Sequence, residues 1–286
     1  MCCMAAIAGT PRARALSAAL REARMASGVG QRELARQLSL SNTQLSHWEN
    51  GHRVPNVEQV AMILAAIRVS ADERERILDL ARNVDEPNWL TVGMNGIPQQ
   101  LAGAVECERS ASAITEWTPM VVPGLLQTPD YSRAIMQASG LDHKDIDLRV
   151  MVRIGRSEVI TRNDPVHFNG LISEAVLHEP IGSPNVMVNQ LLHLVKMSSR
   201  PNVSIRVVPL RVGWHPGWSG PFVLYDFPDA PPVVHFEHYS SGAFVPTEHD
   251  VSEYRKAVDK FHEIAINPAA SAELIEKIAK EMERTP

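Results

Sequence analysis

The 286-residue chain is 44% hydrophobic and 21% charged, the balance of a globular protein with room for two domains of ordinary size, and no apolar run approaches the roughly 18 residues of a membrane span. A net charge of −5 excludes a surface coated throughout for phosphate binding, yet residues 1–70 hold eight arginines against four glutamates, a surplus of +4, so the remainder carries −9. A cationic head of that kind attracts nucleic acid, while an acidic body limits non-specific adhesion and leaves partner binding open. The opening MCCMAAIAG is apolar but short, and arginines follow it rather than precede it, the wrong order for a secretory signal, so a cytoplasmic location is expected. Cys2 and Cys3 are adjacent and Cys107 is distant, a pattern with neither zinc spacing nor a disulfide framework. For Cys107 a buried apolar thiol and a redox sensor are both open.

The first helix is expected over 12–26, with Leu16, Leu20 and Met25 on its apolar face and Ser27-Gly28-Val29-Gly30 ending it. Gln31 to Leu38 and Asn42 to Glu49 form two short helices around the break Ser39-Leu40-Ser41. Asn50-Gly51 and Pro55 stop the second of these, and helices over 57–67 and 72–83 complete a group of five. The Pro- and Gly-containing stretch 86–98 reads as a linker between a DNA-binding domain over 1–85 and a second domain over 99–286. Beyond it, helices are expected over 99–117, 129–139, 144–161, 185–198, 251–264 and 271–282, and strands over 166–173, 203–208, 221–227 and 233–238, the last two joined by PDAPP as an antiparallel hairpin. The fold class is therefore α+β overall, an all-α head followed by a mixed α+β body.

In the head, Leu34, Ala35, Leu38, Leu45 and Trp48 are placed to lock two short helices at a fixed angle, Ala35 being small where the helices approach. Asn42, Thr43, Gln44, Ser46 and His47 are then free to point outward, and these side chains suit base edges: amides bond bidentately to adenine and a Thr methyl meets a thymine methyl. The alternative is a merely solvated polar face. Residues 12–68 resemble the lambda-repressor-like, Xre-type helix-turn-helix family, on the strength of Leu34-Ala35, the turn Ser39-Leu40-Ser41, LSHWENG over 45–51 and Pro55. The resemblance implies base reading by Asn42, Thr43 and His47 and phosphate contacts by Gln31, Gln44 and Arg53. Ser39 departs from the family, which usually has Gly at that turn, and His47 introduces a pH-sensitive contact.

In the body, VVPGLLQTPDY contains a turn at Pro123-Gly124 and a helix start in which Thr128 caps and Pro129 takes the first position, so the segment is architectural or lines a pocket. Arg149, Arg153 and Arg156 share one helix face and suit an anion, an acidic partner or internal ion pairs. Trp214 and Trp218 in GWHPGWSGPF form an aromatic wall for a ligand, or lie buried under a Gly- and Pro-rich loop. The segment from Glu116 to Met136, with RIGRSEVI, ISEAVL, QLLHLV, IRVVPL, GPFVLYDF and VVHFEH, resembles the domain that follows the helix-turn-helix in actinobacterial antitoxin-like regulators. That resemblance implies a regulator encoded beside a small partner protein. No catalysis, metal or cofactor is expected: HFEH puts His235 and Glu237 on one strand face and His238 on the other, and no HExxH, GxSxG, Walker or GxGxxG motif is present. The expected protein is a homodimeric regulator of double-stranded DNA whose second domain serves dimerisation, a small partner protein or a small-molecule effector. The alternative is an antitoxin-like interaction protein that sequesters a partner and binds DNA mainly for autoregulation.

Overall fold

Alanines at 13, 15, 18, 19 and 23, with Leu16 and Leu20, make one continuous buried stripe on the first helix, α1 (Pro11–Ala26), against which the head assembles. The computed structural model describes residues 11–84, 89–92, 99–237 and 241–284. The chain forms two compact units, the first from residues 1–110 with 227–247, the second from 111–226 with 248–286. The expected linker over 86–98 lies outside the described residues except for a strand, β1 (Trp89–Val92), and Cys2, Cys3 and His238 also lie outside them.

Unit one is the expected group of helices: α1, α2 (Gln31–Gln37), α3 (Asn42–Glu49), α4 (Val57–Ala66) and α5 (Ala71–Arg82). Polar caps set most of the starts. Ser41 accepts the Gln44 N–H at 3.1 Å, Asn56 and Gln59 form a reciprocal capping box, and Ser70 accepts the Glu73 N–H. Met25, expected on the buried face of α1, is 65% exposed, because the helix ends there and the core is closed by Ala23 instead. A sixth helix, α6 (Gln99–Ser110), packs against α1 in this unit, with Arg21 on Glu106 at 3.1 Å and the Arg14 guanidinium donating to Ser110 Oγ at 2.6 Å. Cys107 on α6 is fully buried and its thiol is pushed up to about 12, so burial holds it protonated and favours the structural alternative over the redox one. Two later strands, β6 (Val233–Glu237) and β7 (Ser241–Val245), complete the unit; β7 pairs antiparallel with both β1 and β6.

Unit two is built on four strands in the order β5-β2-β3-β4: β2 (Ala113–Thr118), β3 (His167–Ser173), β4 (Val203–Val208) and β5 (Phe222–Asp226). β2, β3 and β4 run parallel, and β5 is antiparallel to β2. The helix expected over 99–117 is thus two elements. The last five residues of that stretch, with Thr118, form AITEWT, in which Ile114, Thr115, Trp117 and Thr118 are β-branched or aromatic, and it sits between two partners as a central strand, so sheet pairing overrides the helical spacing of Ile114 and Trp117. Parallel strands need crossovers. The first runs through α7 (Pro129–Ala138) and α8 (His143–Arg156), the second through α9 (Glu174–His178) and α10 (Pro184–Ser198), and α11 (Glu248–Ile264) and α12 (Pro268–Arg284) follow the sheet. The edge strand β4 is shielded at its end: the Val207 N–H donates to Ser271 Oγ at 3.0 Å and its carbonyl accepts the Ile266 N–H at 3.0 Å.

The VVPGLLQTPDY segment has an architectural role. Tyr131 Oη accepts the Val122 N–H at 3.2 Å, Gln127 Nε2 donates to Val122 O at 2.8 Å, and the fully buried Gln190 bridges Leu126 O and the Thr128 N–H. Thr128 caps α7, with Pro129 in the first turn. Burial lowers the His193 pKa from about 6.5, and burial lowers those of His215 and His262 as well. A depressed folded-state pKa contributes stability that is complete above the unfolded value and lost as pH falls through the folded value. The denaturant midpoint is therefore expected to fall from pH 7.5 to pH 5.5, with a shallower fall in His193→Gln; a flat profile in the wild type contradicts the assignment.

Candidate nucleic-acid interface

The α2–turn–α3 geometry begins with apolar contact: Leu34 and Leu45 are fully buried, and Ala35 and Trp48 nearly so, leaving Leu38 half-buried at the rim. Between the helices Ser39 adopts φ 54°, with its N–H on Arg36 O and the Leu40 N–H on Ala35 O, the paired bonds of a left-handed helix terminus. The position where Gly is usual therefore keeps its Gly-like backbone with a serine in it, at a cost of about 1–2 kcal/mol from the Cβ. Helix α3 ends the same way at Gly51, φ 75°, with the His52 N–H on His47 O at 2.9 Å.

Inside this corner lies Glu49, 2% exposed. Its carboxylate accepts from Arg24 Nε at 2.6 Å and Nη2 at 2.9 Å and from Gln31 Nε2 at 2.9 Å, while Arg24 Nη1 also donates to Val29 O. One carboxylate thus ties α1, the entry to α2 and the end of α3 together, and its hydrogen bond holds the Arg24 guanidinium above its ordinary range. The sequence hides this clamp, since Glu49 in ENG reads as part of a helix stop. The nearest signal is an acidic residue directly after a buried Trp, on a face with no other reason to be charged.

The three expected base readers all lie on α3. Asn42 and Thr43 are exposed on the first turn of α3, and His47 is half-buried one turn later, its ring edge-on to His52 at 5.6 Å. Gln44 is half-buried, Arg53 is exposed in the loop after α3, and Gln31, expected at phosphate, gives an amide hydrogen to Glu49. The arginines of the head divide sharply. Arg12 donates to Asn83 O, Arg14 lies over the Phe227 ring at 3.7 Å, and Arg21 and Arg24 pair with glutamates, so the charge of α1 is spent internally. Arg32, Arg36 and Arg53 are exposed around α2 and α3, and the first two were not singled out by the sequence reading.

In unit two, Arg149, Arg153 and Arg156 do lie along α8, but Arg153 Nη1 donates to Gln127 Oε1 at 2.9 Å and Arg156 Nη2 lies near Gly124, so these last two brace the VVPGLLQTPDY segment. Trp214 and Trp218 are 80% and 73% exposed, which corrects the expectation that the loop buries them. Trp117, from β2, is the tryptophan that is buried beside that loop, stacked on Phe261 at 4.4 Å. Among the described residues no group of three His, Cys, Asp or Glu side chains is disposed to hold a metal, and no helix is long and apolar enough to cross a membrane.

Residues 15–77 match the family model of a helix-turn-helix domain, and residues 101–277 match that of a domain of unknown function, DUF5753. No curated protein matches the chain. Among solved structures the chain is similar to TrmBL2, an archaeal chromatin protein, with a TM-score of 0.30 and 11% identity over 84% of this chain and 88% of that one, a likeness too slight to inform the fold.

Two substitutions test the corner. Ser39→Gly is expected to stabilise by about 0.5–1 kcal/mol, the left-handed cost relieved less the entropy of glycine, in chemical denaturation. Glu49→Ala leaves Arg24 without its carboxylate and is expected to destabilise by about 3 kcal/mol, read the same way.

Proposed function

Since the chain belongs to the family of the domain of unknown function DUF5753 and bears a helix-turn-helix domain ahead of it, we propose that it is a sequence-specific, Xre-type transcriptional regulator. The observation that carries this reading is the exposed first turn of α3, capped by Ser41 and held by a buried corner, with Asn42 and Thr43 facing outward. In the major groove that turn meets base edges, with His47 one turn deeper, while Arg53, Gln44 and Gln31 meet phosphates and Arg32 and Arg36 add charge. The regulator works as a cytoplasmic homodimer on a near-palindromic operator, with half-sites roughly 34 Å apart. The second unit serves dimerisation, partner binding or effector sensing, and no step of catalysis is assigned to it.

A second reading, an actinobacterial antitoxin-like protein that sequesters a small basic partner, is favoured by the −9 charge beyond residue 70. A small reading frame beside the gene, whose product co-purifies with this chain, separates that reading from the first.

Fluorescence anisotropy with the duplex upstream of the protein's own gene tests the DNA reading. The wild type is expected to bind tightly and in preference to a scrambled duplex, and an Asn42, Thr43, His47 triple alanine variant to lose the preference. Arg53→Gln is expected to weaken both duplexes alike and to flatten the dependence of log K on log salt by about one unit, the signature of one lost phosphate contact. Failure of the wild type to bind either duplex or any fragment selected from the genome overturns the reading.

A further inference from the structure

After β4 the chain makes an excursion over 209–221 before entering β5, and this excursion is built rather than loose. Leu210 N–H donates to Glu174 Oε2 at 2.8 Å, Trp218 Nε1 to Gly213 O at 3.2 Å, and Trp117 Nε1 to Gly217 O at 3.1 Å. Gly217 fits so closely over Trp117 that a Cβ there meets the indole at 2.5 Å. His215, nearly buried, accepts the Gly217 N–H on Nδ1 and packs edge-on to Trp117 and Phe261, so its neutral ring carries the proton on Nε2.

A cleft of about 850 Å³ lies along this loop, within unit two, its other side formed by Met120, by Ser173 at the end of β3 and by Ala175 in α9. That volume is of the size that holds a small organic molecule. Large apolar side chains gather at it with their surfaces uncovered: Trp214, Trp218 and Met120 are each more than 70% exposed, and Leu210 is half exposed. The Trp218 N–H is already used within the loop, so this ring offers a face and no hydrogen bond. Arg211 is the one charged residue of the lining, makes no ion pair among the described residues, and is held at φ 64°, a conformation that costs a non-glycine residue energy. Among the described residues no carboxylate is part of the lining, and the nearby Glu174 carboxylate is engaged by the Leu210 N–H. Aromatic faces, an apolar floor and one cation select a flat apolar molecule with a single negative charge.

We propose that this cleft is an effector site for a small aromatic anion, an aryl carboxylate in chemical class, whose ring lies against Trp214 and Trp218 and whose charge meets Arg211. The site deepens the sensing role proposed above for the second unit, and its occupancy is measured without DNA.

The probes are 8-anilinonaphthalene-1-sulfonate, an aromatic anion, and N-phenyl-1-naphthylamine, its uncharged analogue, titrated into the full chain. Saturable binding of one sulfonate probe per chain is expected, with quenching of tryptophan emission. Trp218→Ala is expected to weaken both probes about tenfold, and Arg211→Gln to weaken the sulfonate about tenfold while sparing the amine. Non-saturable binding, or affinity untouched by Trp218→Ala, overturns the site and leaves the exposed tryptophans to a macromolecular partner. Equal loss of both probes in Arg211→Gln overturns the anionic class. Circular dichroism and the denaturant midpoint of the same variants, unchanged, report that they are folded, and because neither these nor probe binding involves DNA, a failure here stays distinct from a failure of the DNA reading.

Discussion

The buried carboxylate of Glu49 is the constraint on which the DNA-facing surface depends. A charge removed from water is tolerated only when its oxygens are satisfied, and here Arg24 takes both and Gln31 shares one. Because these partners come from α1 and from the first residue of α2, satisfying the charge also sets where the end of α3 lies against them. Apolar packing by Leu34, Ala35, Leu45 and Trp48 holds the helices together, but greasy contacts alone permit sliding; the bidentate pair does not. Positioning and stability are therefore carried by different residues in the same corner, and none of them is among the proposed base readers.

That division explains the use of arginine in the head. The surplus of +4 over residues 1–70 suggests a cationic face, yet the four arginines of α1 are engaged within the unit, on Asn83, Ser110, Phe227, Glu106 and Glu49. The arginines exposed around α2 and α3 are fewer and better placed, at Arg32, Arg36 and Arg53. Net charge by segment located the right region for a partly wrong reason.

The α2–turn–α3 segment was legible because its signals are local: two short apolar patterns, a polar cap at Ser41 and a stop at Gly51. What escaped depends on neighbours distant in sequence. AITEWT follows a helix without a Gly or Pro between them, and only its flanking partners β3 and β5 make it a strand. Strand β7 is short and carries Gly242, and it exists through pairing with β1 and β6. Trp214 and Trp218 carry the side chains that burial arguments count first, yet the loop turns Gly217, not an indole, toward the core. Arg153 reads as a free cation until Gln127, in another element, is placed beside it.

The first unit is also discontinuous along the chain, drawing on residues 227–247 as well as 1–110. During synthesis from the N-terminus at roughly 5–20 residues per second, the ring that covers Arg14 and the strand that pairs with β1 arrive on the order of ten seconds after α6. For that interval the nascent head carries the Arg14 guanidinium without its aromatic cover and the β1 segment without its antiparallel partner. The whole intervening fold is translated while it waits, so a truncated transcript ending before Phe227 would release a DNA-binding unit whose reading corner is finished and whose flank is not.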